Sequence, residues 1–121
     1  MTTPTALSNR TPEEVFTHRA QAFEAEDLDA ILLDYAPTAT VIRPPDVLRS
    51  KDAIRTFFAQ VIEALPKAPH RNKMTFADNV LLLEWTADSA RASVSDGVET
   101  YLFENGLITL QTVHYTVVPK V

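Results

Sequence analysis

Apolar residues follow two spacings along the chain, a helical one in the first half and an alternating one in the last third. Apolar positions that recur every three or four residues predict helices, and three segments show this spacing: residues 12–26, 28–36 and 51–65. Each segment follows a residue whose side chain caps helix N-termini, namely Thr11, Asp27 and Ser50. The first half of the chain is therefore predicted to be mostly helical.

Alternation of apolar and polar residues predicts strands in the last third of the chain. These strands are expected at residues 73–77, 80–87, 90–103 and 107–118. An irregularity is expected at Asp96 and Gly97. A β-branched run at residues 39–43 is followed by Pro44 and Pro45, which cannot donate to a central ladder, so we expect an edge or terminal strand there. Helices followed by a strand meander are typical of an α+β fold.

The sharpest local signal is the pair Asn105 and Gly106, which lies between two alternating runs. Asn-Gly favours a two-residue type I′ turn, because both central positions need positive φ. Counting from this turn places one set of residues on a common face: Glu99, Tyr101, Phe103, Thr109, Gln111, Val113 and Tyr115. His114 then lies on the opposite face, unless a bulge reverses the register.

The composition limits the classes of function. The 121 residues suffice for one domain, and we expect a flexible tail at residues 1–10 and a single domain at residues 11–121. The net charge of −5 argues against nucleic acid as a partner, and no apolar run is long enough to span a membrane. The absence of cysteine is compatible with a reducing cytoplasm, and two glycines allow no Gly-rich phosphate loop. The three histidines lack metal-ligand spacing, so neither a metal nor another cofactor is predicted.

Several short segments together give the chain a family resemblance: Glu26–Ala30, Tyr35–Ala36, Ala39–Val41, Asp52–Phe58 and Tyr101–Ile108. From about residue 11 to 118 the chain resembles the nuclear-transport-factor-2-like superfamily, and within it the SnoaL-like polyketide cyclases and the ketosteroid isomerases. The resemblance implies a cystatin-like roll, in which three helices from the N-terminal half pack on the concave face of a cone-shaped, strongly curved antiparallel sheet. It also implies an apolar pocket in the cone and a homodimer through the convex face. This superfold hosts many activities, so it indicates the fold more strongly than the reaction.

Within this resemblance, Glu99 stands where ketosteroid isomerases keep an acidic residue that donates a hydrogen bond to the substrate oxygen. The position of the isomerase general base holds Arg43, and the position of its oxyanion tyrosine holds Arg19. A carboxyl group beside a guanidinium stays ionised and accepts hydrogen bonds. We therefore hypothesise that Arg19, Arg43 and Glu99 form a charged cluster that orients a polar or anionic group of an apolar ligand. A structural ion pair that only fixes the fold is the alternative.

Other candidates share the expected inner face of the sheet or its mouth. The predicted ligand-pocket residues besides the two arginines are Tyr35, Val41, Trp85, Tyr101, Gln111, Val113 and Tyr115. For the aromatic members of this set, a packed core is the alternative. Asp46 is a candidate for a displaced general base, with a plain turn carboxylate as the alternative. His114 is a candidate base if it faces the pocket and an interface residue if it faces outward.

These features predict a protein that binds a small, mostly apolar organic molecule. They favour a cofactor-independent acid/base enzyme that performs isomerisation, cyclisation or dehydration. A non-catalytic ligand-binding or dimerisation module of the same fold is the alternative. A structural protein that assembles through the convex sheet face is a third class. We expect a cytoplasmic homodimer without nucleic-acid or membrane partners.

Overall fold

The computed structural model describes residues 9–120 as three helices and seven strands around one core. The helices are α1 (Pro12–Glu24), α2 (Leu28–Leu32) and α3 (Lys51–Ala64). The strands are β1 (Tyr35–Arg43), β2 (Asp46–Leu48), β3 (His70–Ala77), β4 (Val80–Asp88), β5 (Ala92–Glu104), β6 (Leu107–His114) and β7 (Val118–Pro119). The predicted flexible tail lies, for residues 1–8, outside the described residues.

All three predicted helix starts are confirmed. Thr11 and Glu14 form a reciprocal capping box, in which each side chain accepts from the backbone N–H of the other residue, at 3.2 and 2.9 Å. Asp27 and Ser50 each accept from the backbone N–H three residues later, both at 3.1 Å. Helix α2 is shorter than predicted, because Tyr35, assigned to it from its spacing, instead begins β1.

The main sheet has the strand order β2-β1-β6-β5-β4-β3, it is strongly curved and unclosed, and β7 pairs with the start of β5. Most neighbouring strands are antiparallel, but β1 runs parallel to β6, so the sheet is mixed. Strand β1 lies between β2 and β6 instead of at the edge predicted from Pro44 and Pro45. Those prolines turn the chain between β1 and β2, where no ladder hydrogen bond is needed.

The predicted meander is present, with two differences in its boundaries and the expected irregularity. Strand β3 begins at His70, three residues before the predicted start at Lys73. The register of β4 against β5 shifts between Trp85 and Ala87, which confirms the irregularity expected near Asp96 and Gly97. The last predicted strand is divided, since β6 ends at residue 114 and β7 begins at residue 118.

The β5–β6 hairpin has the predicted turn. Asn105 and Gly106 have φ values of 51° and 73°, as a type I′ turn requires. Just beyond the turn the register shifts, so that Leu102 faces Leu110 while Phe103 faces Ile108. The extra residue is Thr109, which was predicted to face inward. Ile108, which pairs with Phe103 ahead of the bulge, is buried instead, and the hydroxyl of Thr109 donates to the carbonyl of Leu102 at 3.2 Å.

Alternation along the strands separates a buried inner face from a more exposed outer face. On β4 the inner residues Leu81, Leu83 and Trp85 are each at most 6% exposed, whereas Leu82 is 41% exposed. Helices α1 and α3 pack over the inner face and contribute Phe16, Phe57, Phe58 and other residues to the same core. The predicted α+β roll with helices on one face of a curved sheet is therefore confirmed.

The N-terminal end of the described chain is tied to the hairpin turn. The guanidinium of Arg10 donates to the carboxylate of Asp34 at 2.8 Å and to the carbonyl of Gly106 at 2.9 Å. Asp34 is fully buried, and its carboxylate also contacts Nδ1 of His18 at 2.8 Å. Arg10, which was predicted to belong to the flexible tail, therefore closes one end of the core.

Between residues 9 and 120, no helix is both long enough and apolar enough to cross a lipid bilayer.

Candidate functional site

A cavity of about 790 Å³ lies between helices α1 and α3 and the inner face of the sheet. This volume lies within the range of small-molecule sites. Most of its wall is apolar, with Phe16 and Phe23 from α1, and Phe57 and Phe58 from α3. Six of the residues predicted to line a pocket do line it: Arg19, Trp85, Glu99, Gln111, Val113 and Tyr115.

A chain of hydrogen bonds crosses the floor of the cavity on β5, β6 and β1. The hydroxyl of Tyr101 donates to Oε1 of Glu99 at 2.5 Å, and Nε2 of Gln111 donates to the same oxygen at 2.7 Å. The hydroxyl of Tyr35 donates to Oε1 of Gln111. All four side chains are at most 6% exposed. Since Oε1 of Glu99 accepts two hydrogen bonds, the network is suited to a carboxylate.

The other carboxyl oxygen of Glu99, Oε2, is not engaged by this network. Among residues 9–120 it has no hydrogen-bond partner, and it is not one of the enclosed unpartnered atoms. Glu99 lines the cavity, so Oε2 is the oxygen left for a ligand. The site thus presents a buried acceptor that is held in place from behind by Tyr101 and Gln111.

Arg19 is a buried cation surrounded by aromatic rings. Its Cζ atom lies 5.1 Å from the ring centre of Phe58, 5.2 Å from that of Phe23 and 5.7 Å from that of Tyr101. It is 7% exposed, and within the described chain no carboxylate oxygen lies within 4.0 Å of its nitrogen atoms. Its Nε atom is buried without a hydrogen-bond partner. Arg19 is therefore held by cation–π contacts rather than by a direct ion pair.

The three tyrosines around this site resist ionisation. Burial raises the pKa of Tyr35 and Tyr101 well above the usual value, and the nearby charge of Arg19 offsets only part of this effect. Burial also raises the pKa of Tyr115, again against the effect of a neighbouring arginine, Arg43. The phenols are thus neutral hydrogen-bond donors near neutral pH.

Arg43 lies outside the cavity and does not join Arg19. Its Cζ atom is 5.5 Å from the ring centre of Tyr115 and 5.8 Å from that of Phe57, and both of these rings line the cavity. The hypothesised cluster of two arginines with Glu99 therefore divides into two parts. Arg19 and Glu99 share the cavity, and Arg43 supports its rim.

Five other predicted site residues do not line the cavity. Tyr35 and Tyr101 lie behind the wall and act through Gln111 and Glu99, while Val41 is fully buried in the core. Asp46 is exposed at the start of β2, and His114 is exposed at the end of β6 on the outer face. The structure thus brings neither candidate base to the cavity. His114 faces outward because the bulge at Thr109 precedes Gln111, so the predicted alternation holds from Gln111 to His114.

Among the cavity residues that were not predicted as pocket residues, His70 and Phe23 lie near Arg19 and Trp85. His70 precedes the strand predicted from residue 73, yet it begins β3 and lines the cavity beside Trp85 and Phe23. Phe23 lies in the first predicted helix, and it contacts both Arg19 and His70. A signal for His70 was available in the alternation of His70, Asn72 and Met74, but the polar residues between them resemble a loop.

Within residues 9–120, no three histidine, aspartate or glutamate side chains come together in a way that would hold a metal ion. The chemistry that this arrangement can perform rests on a guanidinium, a carboxylate, neutral phenols and an imidazole in an apolar enclosure. Such a set can bind an oxygen atom of a ligand, stabilise negative charge on it and transfer protons.

Comparison with known proteins agrees with this architecture. The model of the SnoaL-like domain family matches residues 16–111, and a search of curated proteins finds no match. A cystatin-like protein of unknown function from Methylobium petroleophilum has a TM-score of 0.70 at 18% identity, with 91% of this chain and 78% of that chain covered. AclR, a candidate hydroxylase from Streptomyces galilaeus, has a TM-score of 0.73 at 13% identity and coverages of 87% and 78%.

A third solved structure, a candidate polyketide cyclase from Sinorhizobium meliloti, has a TM-score of 0.66 at 15% identity, with 83% of this chain and 93% of that chain covered. At these identities the structures are similar in fold alone. The family match, in contrast, includes the helices α1 and α3 and the strands that build the cavity. Because that match spans most of the sequence, the chain belongs to the SnoaL-like domain family.

Proposed function

We propose that the cavity binds a small, mostly apolar organic molecule through one oxygen atom and performs cofactor-independent acid/base chemistry on it. The reaction class is isomerisation, cyclisation or dehydration, and Glu99 keeps its place as a candidate acid/base group. The alternative is a binding module that holds the same ligand without altering it. The candidate cyclase and the candidate hydroxylase have a similar fold, and they support small-molecule chemistry only in that respect.

The observation that carries this proposal is the buried guanidinium of Arg19, which has no ion-pair partner among the described residues. A buried guanidinium with an unpartnered nitrogen is costly unless something completes its hydrogen bonds. A structural ion pair with Glu99 would place the two groups in direct contact, and no such contact exists between the described residues. Arg19 is instead stacked on apolar rings at the wall of a cavity. The terminal nitrogens of Arg19, unlike Nε, are not among the enclosed unpartnered atoms, so a ligand oxygen in that cavity would accept from them.

Two probes of matched shape test this binding mode: 4-phenylbutanoate, which carries a carboxylate, and 4-phenylbutan-1-ol, which does not. Trp85 is the single tryptophan of the chain and lines the cavity, so its fluorescence reports binding directly. We expect the carboxylate to bind about tenfold more tightly or better, the effect of one charge-assisted hydrogen bond. Arg19→Gln should abolish this preference, whereas Arg43→Gln at the rim should retain most of it.

The expectation fails if the carboxylate and the alcohol bind equally well to the wild-type protein. It also fails if Arg19→Gln keeps the preference, since the anion would then be bound elsewhere. Arg19→Lys serves as the fold control, because it retains a cation in the same place. Incubating a bound compound with fresh protein then separates an enzyme from a binder, since only the enzyme alters it.

A homodimer through the outer face of the sheet remains part of the proposal. Leu82 and Val98 are 41% and 38% exposed there, and Leu102 and Leu110 are half-buried nearby. Together they form an apolar strip on β4, β5 and β6 that a second copy could cover. Light scattering should give the mass of a dimer for the wild-type protein and of a monomer for Leu82→Asp. A monomeric wild-type protein would contradict the proposed homodimer.

A cytoplasmic location is also part of the proposal, and it rests only on the lack of cysteine.

A further inference from the structure

His70 lies at the wall of the cavity without having been assigned any role. It is half-buried at the first position of β3. Its ring centre lies 5.3 Å from that of Trp85, at an interplanar angle of 33°, and 5.3 Å from that of Phe23, which meets it edge-on. The imidazole is therefore held between two aromatic rings with one side toward the cavity.

The hydrogen bonding of His70 fixes which nitrogen carries a proton. Its Nδ1 atom lies 2.8 Å from the carbonyl oxygen of Ala68, and a carbonyl oxygen can only accept. Nδ1 is therefore the N–H donor, and in the neutral ring Nε2 keeps its lone pair. Nε2 has no hydrogen-bond partner within residues 9–120, nor is it among their enclosed unpartnered atoms. A proton acceptor with a fixed orientation thus remains free at the cavity wall.

His70 and Arg19 both contact the aromatic ring of Phe23. The centre of the Phe23 ring lies 5.2 Å from Cζ of Arg19 and 5.3 Å from the centre of the His70 ring. A guanidinium and an imidazole thus flank the same aromatic side chain.

We propose that His70 Nε2 is the proton-transfer group of the cavity, acting on the carbon next to a carbonyl whose oxygen binds Arg19. This inference rests on the proposed function and names its base and its substrate class, an enolisable ketone or ester. Nε2 takes the proton, the C–H electron pair forms a C=C bond, and the carbonyl π pair moves to the oxygen beside Arg19. The imidazolium then returns the proton to another carbon or to a leaving hydroxyl group.

Glu99 is less suited to this step than His70. One of its oxygen atoms already accepts from Tyr101 and Gln111, so the carboxylate is stabilised in place. Its negative charge also faces the cavity, where it can stabilise the imidazolium that forms on His70. In this arrangement Glu99 is a positioning and charge-balancing residue.

The test uses 5-nitrobenzisoxazole, a neutral aromatic probe that opens when a base removes its C3 proton. The C–H electron pair forms the nitrile, the N–O bond breaks, and the product is a coloured phenolate whose oxygen Arg19 can stabilise. His70→Asn is the decisive variant, because its amide N–H can replace Nδ1 as donor to Ala68 while no base remains. His70→Gln serves as a second variant, and circular dichroism checks the fold of each.

We expect the wild-type protein to open the probe faster than the same concentration of free imidazole, and His70→Asn to lose at least tenfold of that rate. Adding imidazole to His70→Ala should restore part of the rate, which a purely structural role would not allow. The inference is overturned if the wild-type protein is no faster than imidazole. It is also overturned if folded His70→Asn and His70→Gln keep the rate, or if Glu99→Gln or His114→Asn removes it instead.

Failure of this inference can be distinguished from failure of the proposed function. If His70→Asn keeps both the probe rate and the preference for 4-phenylbutanoate, only the role of His70 is wrong. If the wild-type protein shows no such preference, the role of Arg19 is wrong, whatever happens to the rate. Loss of both the rate and the preference in His70→Asn would show that His70 only shapes the cavity, which also overturns its role as the base.

Discussion

Replacing Gly97 by alanine tests how the cavity wall is built. Gly97 lies directly opposite Trp85 across β4 and β5, and the indole ring folds over it. A Cβ atom at position 97 would lie 2.3 Å from Cε2 of Trp85 and 2.4 Å from Cδ2. These distances are far below van der Waals contact. Among the described residues the glycine with positive φ is Gly106, so Gly97 is required for space rather than for backbone conformation.

The expected magnitude follows from two opposing effects. Alanine is favoured over glycine inside a strand by about 0.5–1 kcal/mol, because glycine loses more backbone entropy on folding. Overpacking a filled site costs about 1–3 kcal/mol. The indole cannot yield easily, since its ring centre lies 5.3 Å from those of both His70 and Tyr115. We therefore expect Gly97→Ala to lower the free energy of unfolding by about 1–2 kcal/mol.

The assay is urea unfolding followed by circular dichroism, which does not depend on the tryptophan. In a Trp85→Leu background the clash is absent, so the same Gly97→Ala change should become neutral or stabilising. This reversal of sign is specific to contact between the two residues. Ser95→Ala, at an exposed position of the same strand, should stay within about 0.5 kcal/mol of the wild type. If Gly97→Ala costs the same with and without Trp85, the packing argument is refuted.

Three further results are expected. Burial raises the pKa values of Tyr35 and Tyr101, so the stability that these two neutral phenols contribute is complete below about pH 10 and is lost as the pH rises above it. Ultraviolet titration should therefore show no ionisation of these two tyrosines before the protein unfolds. Three tyrosines that titrate together near pH 10 in the folded protein would contradict this. Asp34→Ala should lower the free energy of unfolding by about 3 kcal/mol, because it leaves the paired Arg10 without its buried partner, whereas Asp88→Ala in an exposed pair should change it by less than about 0.5 kcal/mol; equal effects would be evidence against the buried pair. Glu99→Gln should tighten binding of 4-phenylbutanoate several-fold, because it removes a negative charge from the cavity of Arg19, and unchanged affinity would leave Glu99 a purely structural residue.

The sequence predicted the face of each hairpin residue wherever strict alternation holds. The predicted inner positions of Glu99 and Gln111 are correct, but strict alternation from the pair Phe103–Ile108 would put Leu110 and Thr112 on that face instead of Gln111. Gln111 lies there because a bulge adds Thr109, whose predicted inner position is wrong, and such a bulge leaves no mark in composition. Tyr35 was misassigned for a related reason: its apolar ring fits both the spacing of α2 and the inner face of β1, and tertiary pairing decides between them.

The contents of the cavity were harder to predict than its walls. The position of Arg19 on the buried side of α1 follows from helical spacing, but its lack of an ion pair depends on where Glu99 and Arg43 lie in three dimensions. His70 was missed because its neighbours Phe23 and Trp85 are distant in sequence. Periodicity reports which face a residue occupies, and it carries no information on which residues from other elements meet it there.

The energetics of Arg19 connect the fold to its proposed role. Three cation–π contacts of about 0.5–2 kcal/mol each offset part of the desolvation of a guanidinium, whose effective penalty is several kcal/mol. The unpartnered Nε adds about 1–3 kcal/mol to that penalty. Charge interaction with the buried Glu99 offsets a further part of that penalty, so the carboxylate is one reason for an arginine here. A ligand oxygen that accepts from the terminal nitrogens of Arg19 would add to this stabilisation in the complex.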